Sequence, residues 1–203
     1  RPAAPPAAAA VVQVGNLHHI GAREEQQDSF AISDCSNGAM VQRKGCFAVV
    51  ADGMGGLTGG GQVSAIVTSS MLRAFESCPS VGEKQIPELL LGMVQGANRD
   101  VLRFLGKARG QSGSTVTAVW ILGDRLHFLS VGDSRICLIR GGALTILNRE
   151  HVYGTELDEK AARGEISLEE ARSDPQRKSL TSYIGTDPLK KIDRSVHGMT
   201  LLP

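Results

Sequence analysis

Phe47-Ala48-Val49-Val50-Ala51-Asp52-Gly53-Met54-Gly55-Gly56 is an apolar run of strand length that ends on a single acid and then on glycines. Phe and Val favour a packed, pleated surface, so the run predicts a buried strand. Asp52 sits where that strand leaves the core. Gly53, Gly55 and Gly56 let the backbone turn tightly and let a ligand approach it closely. A carboxylate at the end of a rigid strand is well placed to hold a hard cation. Alone, the stretch fits an ordinary Asp-Gly turn better, because that dipeptide is common turn chemistry. The surrounding sequence decides between the two.

Working outward, Val11, Val12 and Val14 are expected to begin a first strand, after a Pro/Ala-rich lead-in over residues 1–10 that reads as disordered. That lead-in lacks the basic start and apolar middle of a secretory signal. Gly21 to Asp28 is a polar loop, and Ser29-Phe30-Ala31-Ile32 alternates as a strand does. The loop is either simply solvated, or it offers Arg23 to an anion and Asp28 to a metal. Ser33 to Gly45 reads as a turn-rich connection. Gln62 to Ser77 and Pro87 to Lys107 carry apolar residues at helical spacing; the second stripe is Leu90, Met93, Val94, Ala97, Val101, Phe104 and Leu105.

From Ser114 the pattern changes to a strand meander over Thr115–Leu122, Leu126–Val131, Arg135–Arg140 and Leu144–Leu147. Its turns are Gly123-Asp124, Gly132-Asp133-Ser134 and Gly141-Gly142. Asp133 therefore stands at a sheet end, as Asp52 does. Residues 153–178 form a charged, short-helical flap poor in large apolar side chains, with a capping box at Ser167-Leu168-Glu169-Glu170.

Composition narrows the function. Lys and Arg number 22 against 21 Asp and Glu, and aromatics make up 4%, so neither an electrostatic footprint nor a stacking platform for nucleic acid is present. No apolar run reaches the length of a membrane span. Cys35, Cys46, Cys78 and Cys137 form no Cys-x-x-Cys pair, and scattered thiols suit a reducing, cytoplasmic compartment. A nucleotide site on the glycines fails: Gly56 and Gly61 have the P-loop spacing, but Gln62 stands in place of the Lys. No Gly-x-Ser-x-Gly elbow supports a serine hydrolase.

Two sheet-end acids with a loop Arg and Asp make a case for metal plus phosphate. Five pieces then resemble the metal-dependent protein serine/threonine phosphatases of type 2C, in their bacterial form. They are Arg23-x-x-Gln26-Gln27-Asp28; Val50 to Gly56; Ser112-Gly113-Ser114-Thr115; Gly132-Asp133-Ser134-Arg135; and Ala162 to Ile166 with Glu169 to Arg172 in the flap. They occur in the family's order and spacing, over the chain from about Val11 to its end.

The resemblance implies an α+β fold, a four-layer β-sandwich flanked by α-helices on both faces, with residues 11–203 as the catalytic domain. It implies hydrolysis of phosphoserine and phosphothreonine in proteins at a dinuclear Mn2+ or Mg2+ site, without a covalent phospho-enzyme. Asp52 would bridge the two ions, the Gly53 carbonyl would touch one, and Asp28 would be a further ligand, directly or through water. Arg23 would bind substrate phosphate, and Asp133 would belong to a third metal position near the flap. Phosphoproteins and a counterpart Ser/Thr kinase are the implied partners of a monomer that binds neither nucleic acid nor membrane.

The sequence departs from the pattern at Gln26-Gln27, at Met54 where many eukaryotic members carry a His, and at Glu150-His151 where Asp-His is usual. The family's later Asp-Gly and Asp-Asn ligands do not follow Gly198, so a C-terminally incomplete domain is expected. The competing expectation is an inactive phosphatase-like domain that binds a phosphoprotein or regulatory partner.

Overall fold

The computed structural model describes residues 12–55, 59–108 and 112–201. The lead-in at 1–10 lies outside them. An antiparallel sheet runs through β1 (Asp28–Ile32), β2 (Cys46–Gly55), β4 (Val116–Leu122) and β5 (Arg125–Val131), in that order. β3 (Ser112–Ser114) pairs with the last residues of β2, while β8 (Asp193–Arg194) and β9 (Met199–Thr200) pair with β5. This sheet of seven strands is the frame of the molecule.

Strand alternation assigns the two faces. Phe47, Val49 and Ala51 on β2, with Val116, Ala118 and Trp120 on β4, are buried against α2 (Gly60–Ser77) and α3 (Ile86–Leu105). From those helices come Val63, Val67, Met71, Phe75, Leu90, Val94, Ala97 and Val101, all fully buried or nearly so. Pro87 opens α3, where its missing N–H costs nothing. Both expected helices are present within a residue or two of their predicted limits. Phe104 departs from its predicted stripe: it is 48% exposed, and Leu102 is buried in the same turn of α3.

The face away from the helices carries Phe30, Ala48, Val50, Phe128 and Leu126. Phe30 and Val50 remain 36% and 47% exposed. The α+β class holds; α2 and α3 cover the face that carries Phe47 and Ala118. The other face is bordered by the segment from Val14 to His18 and by the hairpin of β6 (Cys137–Arg140) and β7 (Ala143–Ile146). That hairpin forms its own two-stranded sheet, so the predicted meander leaves the main sheet after β5. Ile136 and Leu147, at its base, pack on Leu126 and Phe128.

Two further expectations are corrected. Residues 12–20 follow the sheet without strand pairing, because Gly15-Asn16 breaks the apolar alternation after Val14. The connection from Ser33 to Gly45 contains α1 (Gly38–Lys44), whose first turn is closed by Asn37: its side-chain oxygen accepts the Met40 N–H at 3.1 Å. The flap folds as α4 (Tyr153–Ala162) and α5 (Leu168–Ser173), with the Ser167–Glu170 capping box formed as predicted.

Candidate active site

The β1–β2 ladder places Asp28 directly opposite Asp52. The Ser33 N–H donates to the Phe47 carbonyl at 2.9 Å, and the Gly53 N–H donates to the Gln27 carbonyl at 3.0 Å. Those bonds mark the odd-numbered pairs of this ladder as hydrogen-bonded. Asp28 and Asp52 are therefore a non-hydrogen-bonded pair, the kind in which facing side chains stand closer. Like charges facing across a ladder are destabilising. The Asp52 carboxyl shows the cost: partial burial, then the charge of Asp28 and a hydrogen bond with it, then Asp133, push its pKa up to about 6, against a smaller lowering by Arg23.

The backbone around this pair is fixed from both sides. The Asp52 N–H donates to Thr115 Oγ1 at 3.0 Å, and the Asp52 carbonyl accepts from the Thr115 N–H at 2.9 Å and from the Ser114 hydroxyl at 3.1 Å. Thr115 Oγ1 in turn lies 2.7 Å from Ser134 Oγ, tying the Asp52 strand end to the Gly132–Ser134 turn. Gly53 has no room for a side chain: a Cβ would stand 2.1 Å from the Gly60 carbonyl oxygen and 2.7 Å from that of Gln27. The start of α2 thus packs directly on the strand end. The Ser64 hydroxyl of α2 donates to the Gln27 carbonyl at 2.6 Å, which fixes the residue before Asp28.

Gln26 and Gln27 have supporting roles. The Asp28 N–H donates to Gln26 Oε1 at 3.1 Å, and Gln27 Nε2 reaches the Gly55 carbonyl at 3.4 Å. Arg23, Asp28, Asp52, Gly53 and Met54 line one cleft of about 610 Å3, with His19 and Ile20 at its rim. Asp133 is exposed on its turn and lines a neighbouring cavity of about 390 Å3 under the flap, with Arg135, Glu150, Thr155, Asp158 and Arg177. Four of the five predicted site residues therefore share the cleft, while Asp133 borders the adjoining cavity.

His151 is buried, and its Nδ1 accepts the Gly132 N–H at 3.2 Å while its own N–H donates to the Gly132 carbonyl at 2.8 Å. Burial lowers its pKa, favouring the neutral ring that this acceptor role requires. It holds the Asp133 turn. Thr115, Ser134, Ser64 and His151 were not assigned these roles from the sequence. The Ser112–Thr115 and Gly132–Arg135 motifs contain the first two of them, and His151 stood out as a departure from the family pattern.

Oxygen-only donors on a repelling pair suit a hard divalent cation, which would offset the charge that raises the Asp52 pKa. Asp28 and Asp52 are the facing acids of the cleft. Among the described residues no three or more His, Cys, Asp or Glu side chains converge on one point as a cation site.

A sequence model of the protein phosphatase 2C family matches residues 16–180. A protein phosphatase 2C-type protein of Streptococcus pyogenes is 33% identical over 139 residues, covering 68% of this chain and 55% of that protein. The serine/threonine protein phosphatase PstP of Mycobacterium tuberculosis is 30% identical over 130 residues, covering 63% of this chain and 24% of the relative. Among solved structures, the S. agalactiae serine/threonine phosphatase superposes with a TM-score of 0.73 at 26% identity, over 89% of this chain and 70% of that one. The PPM Ser-Thr phosphatase MsPP of Mycobacterium smegmatis, solved in complex with cacodylate, gives 0.62 at 31% identity, over 85% and 66%. The chain spans about half the length of the S. pyogenes relative. With the family model spanning most of the sequence and the Asp28–Asp52 ladder at the cleft, the chain belongs to the protein phosphatase 2C family.

Proposed function

We propose that this chain hydrolyses phosphoserine and phosphothreonine in proteins, with Mn2+ or Mg2+ held at the Asp28–Asp52 pair. The observation that carries the reading is the facing of those two carboxylates in one cleft with Arg23. Asp52 would bridge two ions, with the Gly53 carbonyl and Asp28 as further ligands, and Asp133 would serve a third at the flap side. A divalent ion there supplies a Lewis acid that polarises water and phosphoryl oxygen. The chain's own residues do the rest. Arg23, always charged, grips phosphate oxygens in the planar fork of its guanidinium. The Ser114 and Thr115 hydrogen bonds keep the Asp52 main chain from shifting as charge changes beside it.

The M. smegmatis relative was solved in complex with cacodylate, a small oxyanion. The names of the relatives support phosphoproteins as substrates and a Ser/Thr kinase as counterpart.

The test uses Mn2+ with a phosphothreonine peptide and with p-nitrophenyl phosphate. Asp52→Asn is expected to abolish turnover of both and to weaken metal binding. Arg23→Ala is expected to raise KM for the peptide with little change in metal affinity, the pattern of lost substrate binding. Unchanged turnover in Asp52→Asn would sink the assignment. Equal loss of metal affinity in Arg23→Ala would make Arg23 structural.

A further inference from the structure

The cleft does not end at Asp52. Asp52 and Met54 lie on the same face of β2, roughly 6.6 Å apart along the strand. Met54 and Gly55 line the cleft, and they also line a second cavity of about 380 Å3, shared with Ser112, Gly113, Leu180 and Tyr183. Met54 faces Gly113 across the β2–β3 ladder. A Cβ on Gly113 would stand 2.6 Å from Tyr183 Cδ2 and 2.9 Å from Met54 Cε. The ring and the thioether methyl therefore both close on the bare Cα of β3 and give the cavity an apolar surface.

Main-chain bonds fix the walls. The Ser114 N–H donates to the Ile184 carbonyl at 3.0 Å and the Ile184 N–H to the Ser114 carbonyl at 2.8 Å, which holds Tyr183 beside β3. The Ser179 carbonyl accepts the Tyr153 N–H at 2.9 Å, and the Thr181 N–H donates to the His151 carbonyl at 2.8 Å, which holds Leu180 from both sides. Met54, Leu180 and Tyr183 are half-buried, so apolar surface in a preformed hollow still meets water. Charge sets this hollow apart. The cleft carries Arg23, Asp28 and Asp52, and the cavity under the flap carries Asp133, Arg135 and Glu150. Among the described residues, no charged side chain lines the space at Met54, Leu180 and Tyr183. A charged group entering it would lose water without gaining a partner, whereas an apolar one would release water from both surfaces.

We propose that this cavity is a substrate subsite for an apolar side chain, of the size of Leu, Met or Phe, two residues from the phosphoresidue. The inference rests on the phosphatase reading above and adds a sequence preference to it. An extended peptide repeats its same-face side chains at the spacing that separates Asp52 from Met54. With the phosphate at Arg23 and the Asp28–Asp52 pair, the next side chain on that face comes over Met54. Continuity with the cleft thus fixes the occupant as part of the same phosphopeptide.

The experiment uses phosphothreonine peptides with Gly at each of the three positions on either side, replaced one at a time by Leu, Lys or Glu. Hydrolysis with Mn2+ gives kcat/KM, and fluorescence anisotropy of the matching non-hydrolysable phosphonate peptides gives Kd. Leu at one position two residues from the phosphothreonine is expected to improve both constants about tenfold over Gly, while Lys and Glu bring no gain. Leu180→Ser and Tyr183→Ala should each bring the Leu-to-Gly ratio close to one, and Leu180→Lys should move the preference to Glu. Taken within one variant, the kcat/KM ratio is independent of how much of the protein is active. Ile139→Ser, at an exposed β6 residue, should leave the ratio as it is. Equal constants for Leu and Gly at every position, or a Leu preference that survives the Leu180 and Tyr183 changes, overturns the subsite. Hydrolysis without a Leu preference leaves the phosphatase reading standing. A Leu preference in binding without hydrolysis keeps the subsite and removes that reading, and absence of both binding and hydrolysis overturns both.

Discussion

At the scale of single residues, the facing acids set the behaviour of the site before any metal arrives. The Asp52 carboxyl has a folded pKa of about 6, above its ordinary 3.8, so the folded chain binds that proton more tightly than the unfolded one. Stabilisation by the proton is present below that ordinary value and is lost as pH rises through about 6. The metal-free Asp52→Asn chain should therefore be more stable than wild type at pH 7, and the difference should vanish near pH 4. Because Asp52 is open to solvent on one side, the gain is about 1 kcal/mol after screening. Urea unfolding in a chelator at both pH values measures it; an Asp52→Asn chain less stable at pH 7 contradicts the repulsion. His127 works in the opposite sense. It is buried on β5 with neither ring nitrogen hydrogen-bonded among the described residues, and burial lowers its pKa against a smaller raising by Glu83. Its contribution is complete above 6.5 and falls as pH drops below that, so His127→Leu should flatten the acid side of the stability profile, read by the same titration. Asp52 was legible from its apolar run. Its opposition to Asp28 was not, because strand register over a connection containing a helix is set by tertiary pairing. Thr115 and Ser134 stood in the quoted motifs, but their bonding was hidden, since a hydroxyl does not name its partner in sequence.

At the scale of elements, α2 and α3 were legible because their apolar stripes run for several turns. α1 was hidden in Ser36-Asn37-Gly38, which serves equally as a turn and as a helix start. Its importance lies at its far end. α2 has no basic residue in its own last turn, and Lys44 of α1 supplies the cation. The buried Lys44 amine donates to the carbonyls of Phe75 at 3.4 Å and of Glu76. Lys44→Met keeps the stem but removes these bonds and the charge at the helix C-terminus, and should cost about 1–2 kcal/mol in denaturant unfolding. A neutral result would mean that the carbonyls find water instead. The flap is held by Arg177. Its guanidinium binds both oxygens of Asp158, at 2.9 and 2.6 Å, and donates to the Ala171 carbonyl at 2.9 Å, so one side chain joins α4 to α5. Its stem packs on Gly154, where a Cβ would stand 2.6 Å from Arg177 Cγ. Arg177→Ala should raise protease cutting between α4 and α5. If the flap selects protein substrates, it should also lower rates on a phosphoprotein several-fold while sparing p-nitrophenyl phosphate. Parallel losses on both substrates would place the flap in the chemistry.

At the scale of the whole molecule, the core centres on three rings. Phe47 stacks on Phe75 with centroids 5.2 Å apart, and Trp120 meets Phe75 edge-on at 4.9 Å while its indole N–H donates to the Lys44 carbonyl. Trp120→Ala should destabilise the chain by at least about 3 kcal/mol, visible as an earlier urea midpoint with retained slope. The α+β class came from the resemblance to the family; periodicity by itself supplied the strands and the two long helices. The partial cover of the other face was not legible, because alternation shows that a strand has two faces without saying what lies over the second. That second face, with Phe30 and Val50 still in contact with water, has a calorimetric consequence. Heat capacity rises on unfolding in proportion to the apolar area newly wetted, and area that is already wet adds nothing. The increment for this chain should fall below the usual ~12–15 cal/mol/K per residue. A smaller increment flattens the dome of stability against temperature, so the chain should lose less than a typical domain on cooling toward 0 °C. Scanning calorimetry at several protein concentrations reads the increment directly. A full-sized value that grows with concentration would show molecules meeting through that face.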